Sequence, residues 1–279
     1  MLIKIIRIII FVCFFSKTLA SDIPIIVISP SKNVQSYSTV GSSIFVVESN
    51  VLENSSKYFL GNILDDELTG MNYFQSGGYG TTSGIQLRGL PKRYSTVYID
   101  GVKMSDPSSS DNSFYFSSIM NSSIDRVEIL KGSQSSLYGS SAIGGTINIF
   151  TKQGGKGKNK KFEISNGSNG TKNVNFSYDN SNKNHDYYIG VNKFITDGIS
   201  SMNDDPISND KDEYKKEGII ANYAYKINNY YTFKTGLRFN DSYLNYDEVT
   251  SGRSDLNNST DDTELSYNLR LVQEKNKLK

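Results

Sequence analysis

Cysteine and histidine are nearly missing from this sequence. Its single cysteine, Cys13, lies in an apolar run near the amino terminus, and His185 is the one histidine in 279 residues. The chain that follows this run therefore cannot be a disulfide scaffold or a thiolate metal site. No nucleophile or pair of carboxylates accompanies His185 at a catalytic spacing, so the sequence does not predict an enzyme.

The chain also lacks long apolar runs and an excess of charge. Beyond residue 20 no apolar run reaches the roughly 20 residues that a membrane-spanning helix needs. The 30 basic and 29 acidic residues nearly balance, so the sequence predicts no polyanion partner and no nucleic acid. Aromatic residues are plentiful, with 19 tyrosines and 14 phenylalanines, which favours β-structure.

The first 20 residues have the layout of a secretory signal peptide. Lys4 and Arg7 precede the apolar run 8–15, and the small-residue end Thr18-Leu19-Ala20 provides a cleavage site. Export with cleavage before Ser21 is the prediction. A retained membrane anchor is the alternative.

The region after residue 160 has a period of two, which is typical of strands with one apolar and one polar face. Six segments carry it: 162–165, 173–178, 187–194, 219–226, 231–240 and 265–271. Short connections at 181–184 and 228–229 alternate with long, polar, acidic ones at 196–215 and 243–261. This alternation predicts a transmembrane β-barrel with short periplasmic turns and long external loops.

A soluble β-sandwich is the alternative for these strands. Lys234 and Arg238 lie on the polar face, where a water-filled lumen suits them better than a core between two sheets. Six strands cannot close a barrel, and an open edge in lipid leaves backbone groups unpaired. The sequence is therefore expected to be either the front of a longer chain or a remnant of one.

Residues 24–150 follow a different pattern, which predicts a small α+β domain. Short β-like runs occur at 25–28, 43–47, 96–99, 126–130 and 146–150, and the segment 58–68 places Leu60, Ile63, Leu64 and Leu68 at helical spacing. The glycine and lysine-rich stretch 151–161 predicts a boundary, with a linker at 153–160.

Three ordered segments of this half resemble the plug domain of TonB-dependent receptors. They are IQLRGLPKRYSTVYIDGVKMSDP (85–107), IDRVEILKGSQSSLYGSSAIGGTINIFTK (124–152) and, more loosely, SSIFVVESNVLENSSKYFLGNILDDELTGMNY (42–73). The resemblance implies an α+β plug domain followed by antiparallel strands of a truncated transmembrane β-barrel. The expected domains are the signal peptide 1–20, a segment 21–40 carrying a TonB box and a tether at 31–38, the plug 41–152, and the barrel strands 161–279.

The resemblance also implies which plug residues stabilise the domain. Charged residues in partly apolar runs should pair with each other or with the barrel wall, and glycines should supply positive φ or close backbone approach. Structural roles are expected for Arg88, Gly89, Asp100, Gly101, Arg126, Glu128, Gly132, Tyr138, Gly139, Gly144 and Gly145.

By the same resemblance, the whole protein is a barrel of about 22 strands in the outer membrane that is filled by its plug. TonB, driven through ExbB and ExbD, would pair by strand addition with a TonB box. This box is placed at Pro24, Ile25, Ile26, Val27, Ile28 and Ser29. An ordinary first strand of the plug is the alternative for these residues.

The stretch SGGYGTTSGIQLRG is most similar to the cobalamin receptors of the family, while ferric siderophore receptors share much of it. The outward plug loops are the expected ligand contacts. They comprise Gln75, Tyr79, Thr81, Thr82, Lys92, Arg93, Tyr94, Asp106, Ser108 and Asp111.

No cofactor is expected apart from a candidate calcium ion. The loop 203–213 concentrates carboxylates, which are hard oxygen ligands for Ca²⁺, at Asp204, Asp205, Asp210 and Asp212. Their spacing matches no fixed calcium motif, so a solvated acidic loop is the alternative.

Overall fold

A computed structural model describes residues 26–155, 157–200, 211–250 and 253–273. The predicted signal peptide, 1–20, lies outside these residues. The chain divides after Gly41 into two compact units. Within the described ranges, no helix is long and apolar enough to cross a membrane.

The first unit contains a small antiparallel hairpin. Strand β1, Ile26–Val27, pairs with β2, Gln35–Ser36, and a 3-10 turn follows at Tyr37–Thr39. Residues 31–38, for which the sequence predicts a flexible tether, contain the turn and the second strand of this hairpin. The polar side chains that suggested a tether close the turn instead, because Ser31 Oγ donates to the carbonyl of Asn33 at 3.2 Å and Asn33 Nδ2 donates to the carbonyl of Ser31 at 3.3 Å.

The plug is a five-stranded mixed sheet with helices packed against it. In the order of pairing, its strands are β3 (Ser43–Val47), β8 (Ile124–Lys131), β9 (Gly145–Thr151), β6 (Ser95–Ile99) and β7 (Val102–Met104). A separate hairpin pairs β4 (Met71–Gln75) with β5 (Ser83–Leu87), and the helices are α1 (Ser49–Asn54), α2 (Leu60–Glu67) and α3 (Ser135–Tyr138). The α+β prediction for this half is confirmed.

Helix α2 buries the apolar face that its sequence predicts. Leu60, Ile63 and Leu64 are buried in one core with Ile129 and Ile147 of the central strands. The helix ends before Gly70, whose φ of 72° turns the chain into β4. The core of the plug is therefore that of an ordinary water-soluble domain, with its apolar residues inside.

Two tight turns of the plug account for the residue pairs Asp100-Gly101 and Arg88-Gly89. Asp100 and Gly101 have φ values of 49° and 81° between β6 and β7, where Ile99 pairs with Val102. Two consecutive positive φ angles are the mark of a type I′ turn, for which Asp-Gly is a preferred sequence. Arg88 and Gly89, at 55° and 74°, form a second such turn.

Glycine is required where the central strands come together. Gly145 has a φ of 149°, and a Cβ built on it would lie 2.1 Å from the carbonyl oxygen of Leu130. Gly144 lies in ordinary backbone, where its Cβ would approach the carbonyl oxygen of Tyr94 at 3.2 Å. Of the six glycines expected to need positive φ or close approach, the other four, Gly89, Gly101, Gly132 and Gly139, all have positive φ.

After the plug, six antiparallel strands pair in chain order to form one sheet. They are β10 (Gly157–Asn166), β11 (Lys172–Ser181), β12 (His185–Thr196), β13 (Tyr214–Lys226), β14 (Tyr231–Thr250) and β15 (Arg253–Gln273). The six predicted strands are confirmed, and among the described residues the sheet is open at both edges.

Two boundaries predicted for this half are wrong. The linker expected at 153–160 ends early, because β10 begins at Gly157 and residues 158–160 pair with β11. The long loop expected at 243–261 is a hairpin, because β14 continues to Thr250 and β15 starts at Arg253. The polar residues of this hairpin pair through backbone hydrogen bonds, and the hydropathy of their side chains gives no sign of such pairing.

The sheet carries its apolar residues on the face turned away from the plug. One row runs across all six strands through directly paired residues: Phe162, Phe176, Val191, Ile219, Phe239 and Leu265. The next row toward the long connections contains an ion pair between Lys193 and Glu217, and the row at the short turns contains Tyr225 and Phe233. An apolar band with an aromatic border on an outward face is typical of strands in a bilayer.

The opposite face of the sheet is polar and covers the plug. Asn222 of β13 donates from Nδ2 to Thr151 Oγ1 at 2.7 Å and to the carbonyl of Lys152 at 2.8 Å. Arg238 of β14 lies 3.6 Å from the sulfur of Met104 and pairs with Glu264. Hydrogen bonds from the sheet to the plug therefore hold the two together in this region.

Candidate functional site: the apical end of the plug

Three plug segments gather where the long connection 197–213 leaves the sheet. Tyr214, the first residue of β13, packs its ring against Gly80, so closely that a Cβ built on this glycine would lie 2.3 Å from the ring. The hydroxyl of Tyr214 donates to the carbonyl of Ser117 at 3.5 Å. The tip of the β4–β5 hairpin and the segment leading to Ser117 therefore lie at the same end of the sheet. We call this the apical end.

The hairpin tip is anchored to the sheet by aromatic rings. Tyr79 packs against Phe59 at 5.2 Å and against Phe194 of β12 at 5.1 Å between ring centroids. Burial raises the pKa of the Tyr79 hydroxyl. Tyr79, one of the predicted ligand residues on this tip, therefore also holds the hairpin against β12.

The other predicted residues of the tip divide in the same way. Thr81 is buried, and its hydroxyl donates to the carbonyl of Gly78 at 2.8 Å. The amide of Gln75 donates to the same carbonyl. Thr82 is exposed. The hydroxyl of Thr81 thus closes the turn, whereas Thr82 offers its side chain to solvent, and the ligand contacts of both stay predictions.

The second apical segment, 106–113, organises itself around two aspartates. Asp106 accepts hydrogen bonds from the amide of Ser108 at 2.8 Å and from its hydroxyl at 2.6 Å. Asp111 accepts from Ser109 Oγ at 2.7 Å and from the amide of Ser113 at 3.1 Å. Hydrogen bonds from Ser113 and Ser109 lower the pKa of Asp111 to about 2. These two carboxylates therefore stabilise the conformation of their own loop.

The third segment places two cations on two aromatic rings. Lys92 Nζ lies 4.1 Å from the centre of the Tyr115 ring, and the Arg93 guanidinium lies 4.9 Å from the centre of the Tyr94 ring. The stem of Lys92 passes 3.0 Å from the position of a Cβ on Gly84, just behind the hairpin tip. The predicted residues Lys92, Arg93 and Tyr94 are thus brought together with the other two segments.

Sequence reasoning missed Tyr115, Phe59, Phe194 and Tyr214 at this end. Tyr115 stands in the run SFYFSS, shortly after the predicted segment 106–111. The signal in the sequence is the run of three consecutive aromatic residues, Phe114 to Phe116. The sequence predicts Phe59 in a helix and Phe194 in a strand. Their contact with Tyr79 arises only when the plug packs on the sheet, which the sequence pattern does not show.

Three of the four charged plug residues expected to stabilise the domain have partners: Arg126, Glu128 and Asp100. Arg126 Nε lies 3.0 Å from Glu128 Oε1, and its guanidinium lies 4.3 Å from the centre of the Phe150 ring. Glu128 is fully buried, as such a pair permits. The Arg88 guanidinium lies 3.1 Å from the position of a Cβ on Gly132. Tyr138 accepts at its carbonyl a hydrogen bond from Tyr98 at 3.0 Å.

Asp100 joins the plug to the sheet indirectly. Its carboxylate accepts hydrogen bonds from the amide of Thr151 at 3.0 Å and from the hydroxyl of the same residue. Thr151 in turn accepts from Asn222 of β13. Burial raises the pKa of Asp100. A turn of the plug, its last strand and the sheet thus form one hydrogen-bonded chain.

The predicted calcium and TonB-box residues lie partly outside the described ranges. Asp204, Asp205 and Asp210 fall there, while Asp212 is buried beside β13, and the described part of the chain contains no metal-like cluster of carboxylates, histidines or cysteines. Pro24 and Ile25 also fall outside. Ile26 and Val27 form β1, Ile28 is partly exposed and Ser29 is buried. Both sites stay predictions.

Residues 36–146 match the family model described as TonB-dependent Receptor Plug Domain. Among curated proteins, the chain is 27% identical over 227 residues to the vitamin B12 transporter BtuB of Vibrio vulnificus, covering 80% of this chain and 36% of that protein. It is 30% identical over 127 residues to the BtuB of Vibrio cholerae, covering 46% and 20%. The chain therefore spans about a third or less of the length of these relatives.

Solved structures share the fold. The ferripyoverdine receptor FpvA of Pseudomonas aeruginosa superposes with a TM-score of 0.71 at 15% identity, covering 90% of this chain and 34% of that one. The ferric yersiniabactin uptake receptor FyuA of Yersinia pestis has a TM-score of 0.60 at 21% identity, covering 72% and 32%. Plug and strands thus occur together in the same arrangement in known receptors.

The outer membrane is where such receptors reside, as the sequence predicts for this protein, and members of the family transport solutes and are not enzymes. Residues 36–146 thus match a TonB-dependent receptor plug domain, and the chain resembles TonB-dependent receptors, the vitamin B12 transporters among them.

Proposed function

We propose that the receptor containing this chain takes up a cobalamin or a related corrinoid. The observation that carries the proposal is the similarity to a vitamin B12 transporter over 80% of the chain, which includes the sheet as well as the plug. The apical end supports it, because tyrosine, serine and threonine groups there offer both flat apolar area and hydrogen-bonding groups to a large polar solute.

The substrate is tested by uptake in a Gram-negative host that lacks its own cobalamin receptor. The whole gene product is expressed, and the uptake of radiolabelled cyanocobalamin is measured with and without an excess of ferric siderophore. We expect saturable uptake that the siderophore does not compete. Competition would assign the receptor to ferric siderophores, and the absence of both binding and uptake would indicate a remnant.

We further propose that residues 24–29 are the TonB box. Within this segment, Ile26–Val27 pairs with its neighbour by a ladder of two residues on each strand. A ladder this short is easily exchanged for pairing with another chain, which is how strand addition works. The proposal is independent of which solute is carried.

Deleting residues 24–29 tests the coupling to TonB. Uptake is expected to vanish while binding of cyanocobalamin to isolated outer membranes is retained, because energy coupling and ligand recognition then use different parts of the plug. Substituting residues 31–33 by alanine is the matched control and should leave uptake intact. A passive porin or an adhesin would be unaffected by the deletion, and that result would refute TonB coupling.

A further inference from the structure

We propose that Lys92 and Arg93 form an anion subsite that recognises the phosphodiester of the corrinoid nucleotide arm. This inference rests on the proposed function, and it names the part of the solute that the plug binds. A cobalamin combines a broad corrin ring with one phosphodiester, which carries a single negative charge. The remaining polar groups of the ring are amides, which a pair of cations does not select.

Lys92 and Arg93 both lie at the apical end, and both interact electrostatically with Asp111. They are consecutive residues of the 3-10 turn Lys92–Tyr94, and each rests on a different tyrosine ring, at 4.1 Å and 4.9 Å. Cation–π stacking holds the charged groups in place. The guanidinium of Arg93 also donates one hydrogen bond to the hydroxyl of Tyr94 at 3.5 Å, and its remaining N–H groups are available to an anion. Arg93 is exposed, and the stem of Lys92 is packed against Gly84.

The neighbouring acids do not neutralise this pair by contact. Within the described residues, no carboxylate lies within the 4.0 Å of an ion pair from Lys92 or Arg93. Asp106 and Asp111, the acids of the adjacent loop, are hydrogen-bonded to Ser108, Ser109 and Ser113. The carboxylate of Asp111 attracts both cations without forming an ion pair with either, so these three groups leave a net charge of +1 for one external anion.

The arrangement suits a phosphodiester in particular. Its two free oxygens can accept one charge-assisted hydrogen bond from the ammonium and one or two from the guanidinium. The rings of Tyr94 and Tyr115 provide flat surfaces beside these donors. A ferric catecholate siderophore also carries negative charge, so anion recognition alone does not separate the two sources, and the test must compare them.

The experiment measures the affinity of the whole receptor in detergent for three ligands. Cyanocobalamin carries the phosphodiester, cobinamide has the same ring without the nucleotide arm, and ferric enterobactin is the alternative anion. In the K92Q/R93Q variant we expect cyanocobalamin affinity to fall roughly 10- to 100-fold, while cobinamide affinity changes less than about twofold. K92R/R93K should retain most of the affinity for cyanocobalamin.

K183Q is the matched control, because Lys183 is an exposed cation in a short turn at the far end of the sheet, and its variant should bind all ligands normally. Equal losses for cyanocobalamin and cobinamide, or no loss, would overturn the subsite while leaving the proposed function intact. Binding of ferric enterobactin that depends on Lys92 and Arg93, without cyanocobalamin binding, would overturn both. Unchanged thermal unfolding of K92Q/R93Q establishes that it folds.

Discussion

The plug and the six-stranded sheet bury opposite kinds of residue, although one chain builds both. In the plug, leucine and isoleucine fill the interior, as with Leu64 and Ile129, both 0% exposed. In the sheet, Asn222 and Lys216 face inward and are buried, whereas Leu237 faces outward with 38% of its surface exposed. The medium outside each region decides which face is apolar, so hydrophobicity has to be interpreted relative to the surroundings.

The same substitution in the two regions should give the largest effect and measure this contrast. Leu64→Ala in the plug is expected to lower the free energy of unfolding by about 2–5 kcal/mol, because it removes apolar contacts and leaves a cavity. Leu237→Ala on the outward face should lose the transfer contribution alone, since lipid or detergent chains fill the space. Urea unfolding of the whole protein in detergent compares the two. Equal losses would contradict the assignment of the outward face to an apolar medium.

Placing a charge on the outward face sharpens the comparison further. Leu237 lies in the row between Ala221 and Tyr267, away from both ends of the apolar band. Leu237→Lys is expected to lower stability in phospholipid vesicles by about 2–4 kcal/mol, while Tyr230→Lys, in a short turn, should lower it by about 0–1 kcal/mol. Unfolding in vesicles provides the measurement. If the two variants are equally stable, the row does not lie in hydrocarbon.

The smallest effect concerns a loop of the plug that faces water. The pKa of Asp111 is lowered to about 2, so its ionised form stabilises the loop above the ordinary pKa of 3.8, and this stabilisation is lost as the pH falls toward 2. Protection of the Ser113 amide from hydrogen exchange should therefore weaken across this window. In Asp111→Asn the pH dependence should disappear. A wild-type amide whose protection is unchanged from pH 4 to pH 2 would refute the role of the carboxylate.

Sequence reasoning was most successful where a repeating pattern carries the structure. The period of two located all six strands of the sheet, and helical spacing located α2. The hairpin of β4 and β5 and the short helix α1 were missed, because their side chains are mixed in polarity and their pairing is a backbone property. The acidic residues of 243–261 indicated a loop for the same reason, although most of this stretch pairs as strands.

The apical end could be predicted only in part. The turn chemistry of Asp106, Asp111 and their serines, and the cations Lys92 and Arg93, are visible as residue types in sequence. That Thr81 turns inward, and that Tyr115 lies beneath Lys92, depends on the packing of segments that are separated along the chain. Local chemistry is encoded locally, but which side chains remain available to a ligand is decided by tertiary contacts.

The chain of hydrogen bonds from Asp100 through Thr151 to Asn222 bears on how easily the plug could be moved. An apolar interface resists separation because water cannot replace its contacts. A polar interface exchanges each contact for one with water, at a net cost of only about 0.5–1.5 kcal/mol. This part of the interface should therefore separate at a lower cost than the aromatic contacts of Phe59 and Tyr79 with Phe194 at the apical end.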